Sequence, residues 1–209
     1  MKKVLILGAT GGTGKHLLAQ ALARGHDVTV LVRSPDRLPP GVERARVLTG
    51  DALDDAALAE AVQGQDTVVS ALGVGSSFKS RSLIARSVPA ILRAMENAGV
   101  RRLVFTSAYG VGETFRDVPL LPSILMRLLF RDLYADKALG DDVIRRSALD
   151  WTLVYPTTLT NGPNTGTYRA GERLHLRGLP TISRADVADF LANQIEDTTY
   201  LKKGVLISN

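Results

Sequence analysis

Gly8, Gly11 and Gly14 stand three residues apart in the stretch 4–14, VLILGATGGTG. Four apolar residues run into this turn, and helix formers follow it at once: Lys15, Leu17, Leu18, Ala19, Ala21, Leu22 and Ala23. An unbroken apolar run of this length predicts a strand buried on both faces. The glycines then suit a phosphate. Gly8 permits a tight exit from the strand. Gly11, with Gly12 beside it, clears side chains from the path of a pyrophosphate, and Gly14 lets the helix lie close on the sheet. The N-terminus of that helix adds unpaired N–H groups and a partial positive charge. A glycine motif by itself is weak evidence, but this one lies between a strand and a helix, where dinucleotide binding requires it.

Further along, chemistry-bearing residues recur at the ends of predicted strands. Residues 26–32, HDVTVLV, read as a second strand and are followed by Arg33 and Ser34. An acidic residue there would bond the 2′-hydroxyl of NAD, whereas an arginine accommodates the 2′-phosphate of NADP. The acid is absent and Arg33 is present, so NADPH is expected over NADH. Asp51 and Ala52, after a third strand, would lie near the adenine edge; the plainer reading of Asp51 is a turn residue bonding its own backbone. Leu72, Gly73 and Val74 leave a fourth strand at residues 67–71, where small residues can pass under a cofactor. Ser107 follows a fifth strand, 103–106, and faces the crevice where ligands of open α/β sheets bind. Its plainer reading is a serine that ends the strand.

The elements that must position these residues follow the same alternation. Helices are expected at 55–62, capped by Asp54, and at 81–98, with Pro89 inside and Gly99 as the C-terminal cap. Further helices are expected at 133–147, carrying Tyr134 and Lys137, and at 184–195, capped by Ser183. The third strand is placed at 42–48, the sixth at 151–155 and the last at 204–208. A short hairpin is placed at 165–170 and 173–176, and a loop at 75–80. Residues 111–130 form the least regular stretch. Their apolar crowding, Leu120 to Phe130, reads equally as a core helix or as a hydrophobic wall over a flat substrate. The alternation gives an α/β fold, a doubly wound parallel sheet of Rossmann-like type. A chain of 209 residues reads as one domain, with a small C-terminal extension on the substrate side.

Composition narrows the function classes. No apolar run approaches a membrane span, and the short one at the N-terminus is no signal peptide. Without cysteines there is neither a disulfide nor thiol chemistry, which fits a cytoplasmic location. The net charge of +5 is spread over small groups such as Arg101 with Arg102 and Lys202 with Lys203. Nothing suggests nucleic acid, and a diffuse positive charge would attract an anionic dinucleotide. No metal-ligand cluster is expected.

The segments VLILGATGGTG, VTVLVRS, GDALDD, ALG, FTSAYG, ALDWTLVYPTTLTNGP and ISRADVADFLANQI occur in this order in atypical short-chain dehydrogenase/reductases. The chain resembles the NAD(P)-binding group related to NmrA, and within it the NADPH-dependent flavin reductases, also called biliverdin-IXβ reductases. The resemblance implies that Gly8, Thr10, Gly11, Gly12, Thr13 and Gly14 hold the pyrophosphate. It implies that Arg33 and Ser34 take the 2′-phosphate and that Asp51 and Ala52 flank the adenine. Ala71, Leu72 and Gly73 would line the middle of the cofactor. Ser107 would lie beside the nicotinamide, and Pro156, Thr157, Thr158 and Leu159 would cover its other side. A monomer is implied as well.

Two departures from the family pattern bear on chemistry. The catalytic pair is usually spaced YxxxK, whereas Tyr134 and Lys137 form YADK. Three apart still shares a helix face, but the tyrosine can point elsewhere. The flavin reductases also carry a histidine where Thr158 stands. The expected activity is hydride transfer from NADPH to a flat conjugated acceptor, a flavin or a linear tetrapyrrole. Ser107 would donate a hydrogen bond, Lys137 would hold the ribose, and water would supply the proton. The alternative is a non-catalytic NADP(H)-binding sensor, and an isomerase or epimerase ranks last.

Overall fold

The computed structural model describes residues 1–73, 82–112, 120–176 and 178–209, and for 120–130 the backbone alone. The strands are β1 (Lys3–Leu7), β2 (Asp27–Val32), β3 (Arg46–Thr49), β4 (Thr67–Ser70), β5 (Arg102–Thr106), β6 (Asp150–Pro156), β7 (Thr158–Thr160), β8 (Arg169–Gly171), β9 (Thr181–Ser183) and β10 (Lys203–Ser208). The helices are α1 (Gly12–Ala23), α2 (Asp55–Val62), α3 (Leu83–Ala98), α4 (Leu120–Arg146) and α5 (Arg184–Asn193), with a 3₁₀ turn at Pro35–Arg37.

Eight strands make one sheet in the order β3-β2-β1-β4-β5-β6-β10-β8. All its pairs are parallel except β10 with β8. The chain starts in the middle, winds outward to β3, returns to β4 and winds out the other way. That reversal beside β1 and β4 opens a crevice at the carboxyl ends of the strands.

Residue alternation in the buried strands sorts the core into two layers. Val4 and Ile6 pack with Leu17, Leu18, Val187 and Leu191 of α1 and α5. Leu5 and Leu7 face the other way, with Leu58, Ile84, Ile91, Met95 and Ile144 of α2, α3 and α4. Every β1 residue from Val4 to Leu7 is fully buried, so a polar substitution on either face would strand an unpaired group in the core.

Caps set the helix ends. Asp54 accepts from Ala56 N at 2.9 Å and Ala57 N at 3.2 Å, Ser183 accepts from Asp186 N at 2.9 Å, and Gly99 takes φ +71°. The start of α3 is capped from a distance. Asp136 of α4 accepts from Ile84 N at 3.1 Å and Ala85 N at 2.8 Å. Gly140 makes this approach possible, since a Cβ there would overlap Ile84 Cγ2.

Several expectations are corrected. β3 begins at Arg46, because residues 42–45 close a turn through Ala45 N to Val42 O at 2.9 Å. The expected hairpin does not form. Residues 169–171 pair antiparallel with β10 instead, where the sheet edge already holds open hydrogen-bonding groups. β7 and β9 form a small parallel sheet that the short polar segments did not announce. Helix α4 runs back from the expected start at 133 to Leu120. As expected, Pro89 lies inside a helix here, α3 (Leu83–Ala98). The loop expected at 75–80, Val74, and the side chains of the proposed wall at 120–130 lie outside the described residues. Among the described residues no helix is long and apolar enough to cross a membrane.

Candidate functional site

The glycine turn forms the floor of the crevice. Gly8 has φ +84°, and a Cβ there would meet Ala71 O at 2.7 Å. Gly11 N donates to Gly8 O at 3.0 Å, and a Cβ on Gly11 would come within 3.2 Å of the same oxygen. A Cβ on Gly14 would overlap Gly8 O outright. Gly14 is therefore required by closure of the turn itself, a tighter constraint than helix–sheet distance. The N-terminus of α1 follows with no side-chain cap and no acidic residue in its first turn. Its orphan N–H groups suit an anion.

On the β2–β3 side the crevice is lined by Gly8, Thr10, Gly11, Leu31, Val32, Arg33, Arg37, Gly50, Asp51, Ala52, Ala71, Leu72, Gly73 and Leu83. Arg33 and Arg37 are both exposed and make no ion pair among the described residues. The 3₁₀ turn Pro35–Arg37, closed by Arg37 N to Ser34 O at 3.1 Å, brings Arg37 round beside Arg33. Two guanidiniums with unused donors suit a phosphomonoester. Ser34 is not part of this lining. Asp51 keeps its plainer role too, accepting from Leu53 N at 3.0 Å through Oδ1 while it lines the crevice.

On the β5–β6 side the lining is Gly11, Gly12, Thr13, Ala71, Leu72, Gly73, Thr106, Ser107, Ala108, Leu133, Lys137, Pro156, Thr157, Leu159, Asn161 and Arg184. The two halves share Gly11, Ala71, Leu72 and Gly73 and so form one continuous cleft. Ser107 is held at the strand end because the β5–β6 ladder continues past it, with Ser107 N to Val154 O at 2.8 Å and Tyr109 N to Pro156 O at 3.0 Å. Thr157 is buried and donates to Ser208 Oγ at 3.2 Å, so its hydroxyl serves the fold. Thr158 is exposed and outside the lining. Tyr134 is outside it as well: the α4 wall is Leu133 and Lys137, and Tyr134 packs against the core cluster.

Behind Ser107 lies a buried polar cluster. Ser107 Oγ donates to Asp141 Oδ2 at 2.8 Å, and Tyr155 OH donates to the same oxygen at 3.0 Å. Arg145 Nη2 donates to Tyr155 OH at 3.1 Å. Lys137 Nζ donates to Thr106 O at 3.3 Å. Burial pushes the Asp141 carboxyl up to about 6, against the Ser107 hydrogen bond, the Lys137 charge, the Tyr155 hydrogen bond and Arg145. Burial lowers Lys137, opposed by Asp141 and Asp136, and raises Tyr155 and Tyr134.

Arg184, the first residue of α5, reaches the glycine turn from the same face of the sheet as α1. A Cβ on Gly12 would run into its Cδ at 2.8 Å, and its Nη1 donates to Asn161 Oδ1 at 2.7 Å and Thr160 O at 3.2 Å. Asp186 braces this corner, accepting from Thr165 N at 2.7 Å and Gly166 N at 2.9 Å. Burial works to raise its carboxyl, but the N–H groups of Gly166 and Thr165 and the hydroxyls of Ser183 and Thr165 hold it below the usual range.

Sequence reasoning missed Arg37, Asp141 and Arg184. Each had a faint signal: Arg37 follows Arg33 by one turn, Asp141 lies four residues after Lys137 on the same helix face, and Arg184 follows the Ser183 cap. Among the described residues there is no His, Cys, Asp and Glu cluster that would hold a metal. The groups in the cleft fit a dinucleotide instead, because the glycine turn leaves space where a Cβ would intrude and cations stand beside it.

Comparison with known proteins agrees with this geometry. The Bacillus subtilis protein YwnB is 26% identical over 204 residues, covering 93% of this chain and 92% of its own. A putative NAD-dependent epimerase/dehydratase from Bacillus halodurans superposes with a TM-score of 0.83 at 26% identity, over 100% of this chain and 94% of that one. ChuY, an anaerobillin reductase from Escherichia coli O157:H7, shares the fold with a TM-score of 0.81 at 22% identity, over 98% and 96% of the two chains. The family model described as NAD(P)H-binding matches residues 8–198, and with the glycine turn at the switch point of its sheet the chain belongs to that NAD(P)H-binding family.

Proposed function

We propose that the chain is an NADPH-dependent reductase acting on a flat conjugated acceptor, a flavin or a linear tetrapyrrole. The observation that carries this reading is the continuous cleft, with two arginines that make no ion pair among the described residues at the β2 end and Ser107 and Lys137 at the β5 end. The bound cofactor would supply hydride from its nicotinamide. The protein's part is to hold and orient. Gly8, Thr10, Gly11, Gly12, Thr13 and Gly14 receive the pyrophosphate through backbone N–H groups, and Arg184 leans over it. Arg33 and Arg37 take the 2′-phosphate. Lys137, with two donors beyond its bond to Thr106, faces the ribose. Ser107, Pro156 and Leu159 flank the reacting ring, and Tyr134 has no part. The fold accommodates such chemistry, as ChuY is an anaerobillin reductase. The same reading has the chain work as a monomer in the cytoplasm, on small molecules.

The test is NADPH oxidation, followed at the nicotinamide absorbance, with FMN, linear tetrapyrroles, quinones and small carbonyls as acceptors. Turnover with FMN or a tetrapyrrole, and preference for NADPH over NADH, is expected. One observation favours a second reading, an NADP(H) sensor: Tyr134, which the resemblance would make the acid, is partly buried against the core. Stoichiometric NADPH binding with every acceptor class inert would establish the sensor and overturn the reductase.

A further inference from the structure

Asp141 is a carboxyl group for which binding and orientation provide no use. It is 2% exposed, yet its Oδ2 is one hydrogen bond from the cleft through Ser107. Its Oδ1 is buried with no hydrogen-bond partner among the described residues. A permanent buried carboxylate would be costly with one oxygen unpaired. The groups facing it are Ser107 at the end of β5, Tyr155 on β6, and Lys137 and Arg145 on α4, with Asp136 beyond Lys137. These stabilise the charged form in part, and burial opposes them. The balance leaves both protonation states within reach near neutrality.

The two states present different faces to the cleft. When Asp141 is ionised, Ser107 must donate inward to Oδ2, and only its lone pairs face the acceptor. When Asp141 is protonated, its O–H can donate to Ser107 Oγ, which frees the Ser107 proton to point into the cleft. We propose that Asp141 is the proton reservoir of this site, delivering through Ser107 Oγ to the reduced acceptor in place of the displaced Tyr134. The inference rests on the reductase reading above, with reduced nicotinamide cofactor as the source of the electron pair. The acceptor that has gained hydride carries a negative charge. The Ser107 O–H bond breaks toward it as the Asp141 O–H bond breaks toward Ser107 Oγ. One new bond to hydrogen forms on the acceptor and one on Ser107, and Asp141 is left as the carboxylate. Solvent entering the open cleft returns the proton after release. Asp141 acts through Ser107, so it is a positioning and relay residue.

Two measurements test this. The first needs no activity: carboxyl-labelled aspartate NMR of the ligand-free protein should show one resonance that titrates well above the other aspartates and is absent from Asp141→Asn. In Tyr155→Phe that resonance should titrate higher, because the carboxylate loses a donor. Asp141 ionised down to about pH 4, or unmoved in Tyr155→Phe, overturns the proposal. The second is single-turnover NADPH oxidation by FMN from about pH 5 to about pH 9. The native rate should fall as pH rises through the Asp141 titration. Asp141→Asn, whose amide can still orient Ser107, should be pH-independent and slower at the acid end by on the order of tenfold or more. The titration of FMN itself is common to both proteins and cancels in their ratio. Turnover with the same pH profile in both overturns the relay alone, and no turnover with any acceptor overturns the reductase reading and the relay with it.

Discussion

At the β1–β2 end of the cleft the groups offered to a ligand are mainly backbone, while at the β5–β6 end they are side chains. The first end is built from residues 8–14 and 33–37, each a local turn whose geometry follows from its own glycines or proline. The second needs residues far apart in the chain: Ser107 from β5, Lys137 and Asp141 from α4, and Arg184 from α5, joined across the sheet. Backbone N–H groups and exposed guanidiniums offer donors to an anion. The buried Asp141 carboxyl and Lys137 amine feel each other's charge, so each bears on the protonation of the other and the pair can respond to pH. In the function proposed above, the first end holds the cofactor and the second does the chemistry on it.

The largest test strikes the backbone end. Gly11→Val should remove NADPH binding by calorimetry, a loss of about 3 kcal/mol or more, with the melting temperature little changed. Its Cβ would approach only Gly8 O, at 3.2 Å, and the branches would fill the pyrophosphate's place. Unchanged binding would place the ligand elsewhere.

Next in size is a stability effect at the side-chain end. The Asp141 carboxyl is raised from 3.8 to about 6 in the folded state. The folded protein therefore holds a proton that the unfolded chain has released, and stability falls as pH rises through that window. Asp141→Asn should raise stability above the window by on the order of 3 kcal/mol at most, read by chemical denaturation at two pH values. A gain at pH 7 together with a flattened activity profile would show that the native residue is kept at a cost in stability. A loss of stability at both pH values would make it purely structural.

The cations divide the ends more finely. Arg33→Ala should weaken NADPH by about 1.5–3 kcal/mol and leave NADH nearly unchanged. Only the double change with Arg37→Ala should erase the preference. Arg184→Ala should weaken both cofactors alike, by roughly 1.5 kcal/mol, since the pyrophosphate is common to them. A selective effect of Arg184→Ala would move it to the adenosine end. The smallest change expected is Tyr134→Phe, worth less than about 0.5 kcal/mol in kcat/KM. A loss of activity comparable to that of Ser107→Ala would return Tyr134 to the cleft.

The sequence alone carried the sheet, its winding and the glycine turn. An unbroken apolar run, a glycine at a left-handed bend and an asparate or serine ahead of a helix act within a few residues of themselves. Their meaning is local, which is why Gly8, Asp54, Gly99 and Ser183 read correctly. That Arg33 lines the cleft was legible for the same reason, since it directly follows its strand. What only the tertiary structure decided was the company kept by polar side chains. Asp136 caps a helix fifty-one residues earlier, Asp141 meets Ser107 and Tyr155, and Arg184 leans over Gly12. Edge pairing of β8 with β10 and of β7 with β9 belongs here too. These contacts join segments whose own patterns are indifferent to them, and a buried charge takes its properties from neighbours that the chain supplies only once it is folded.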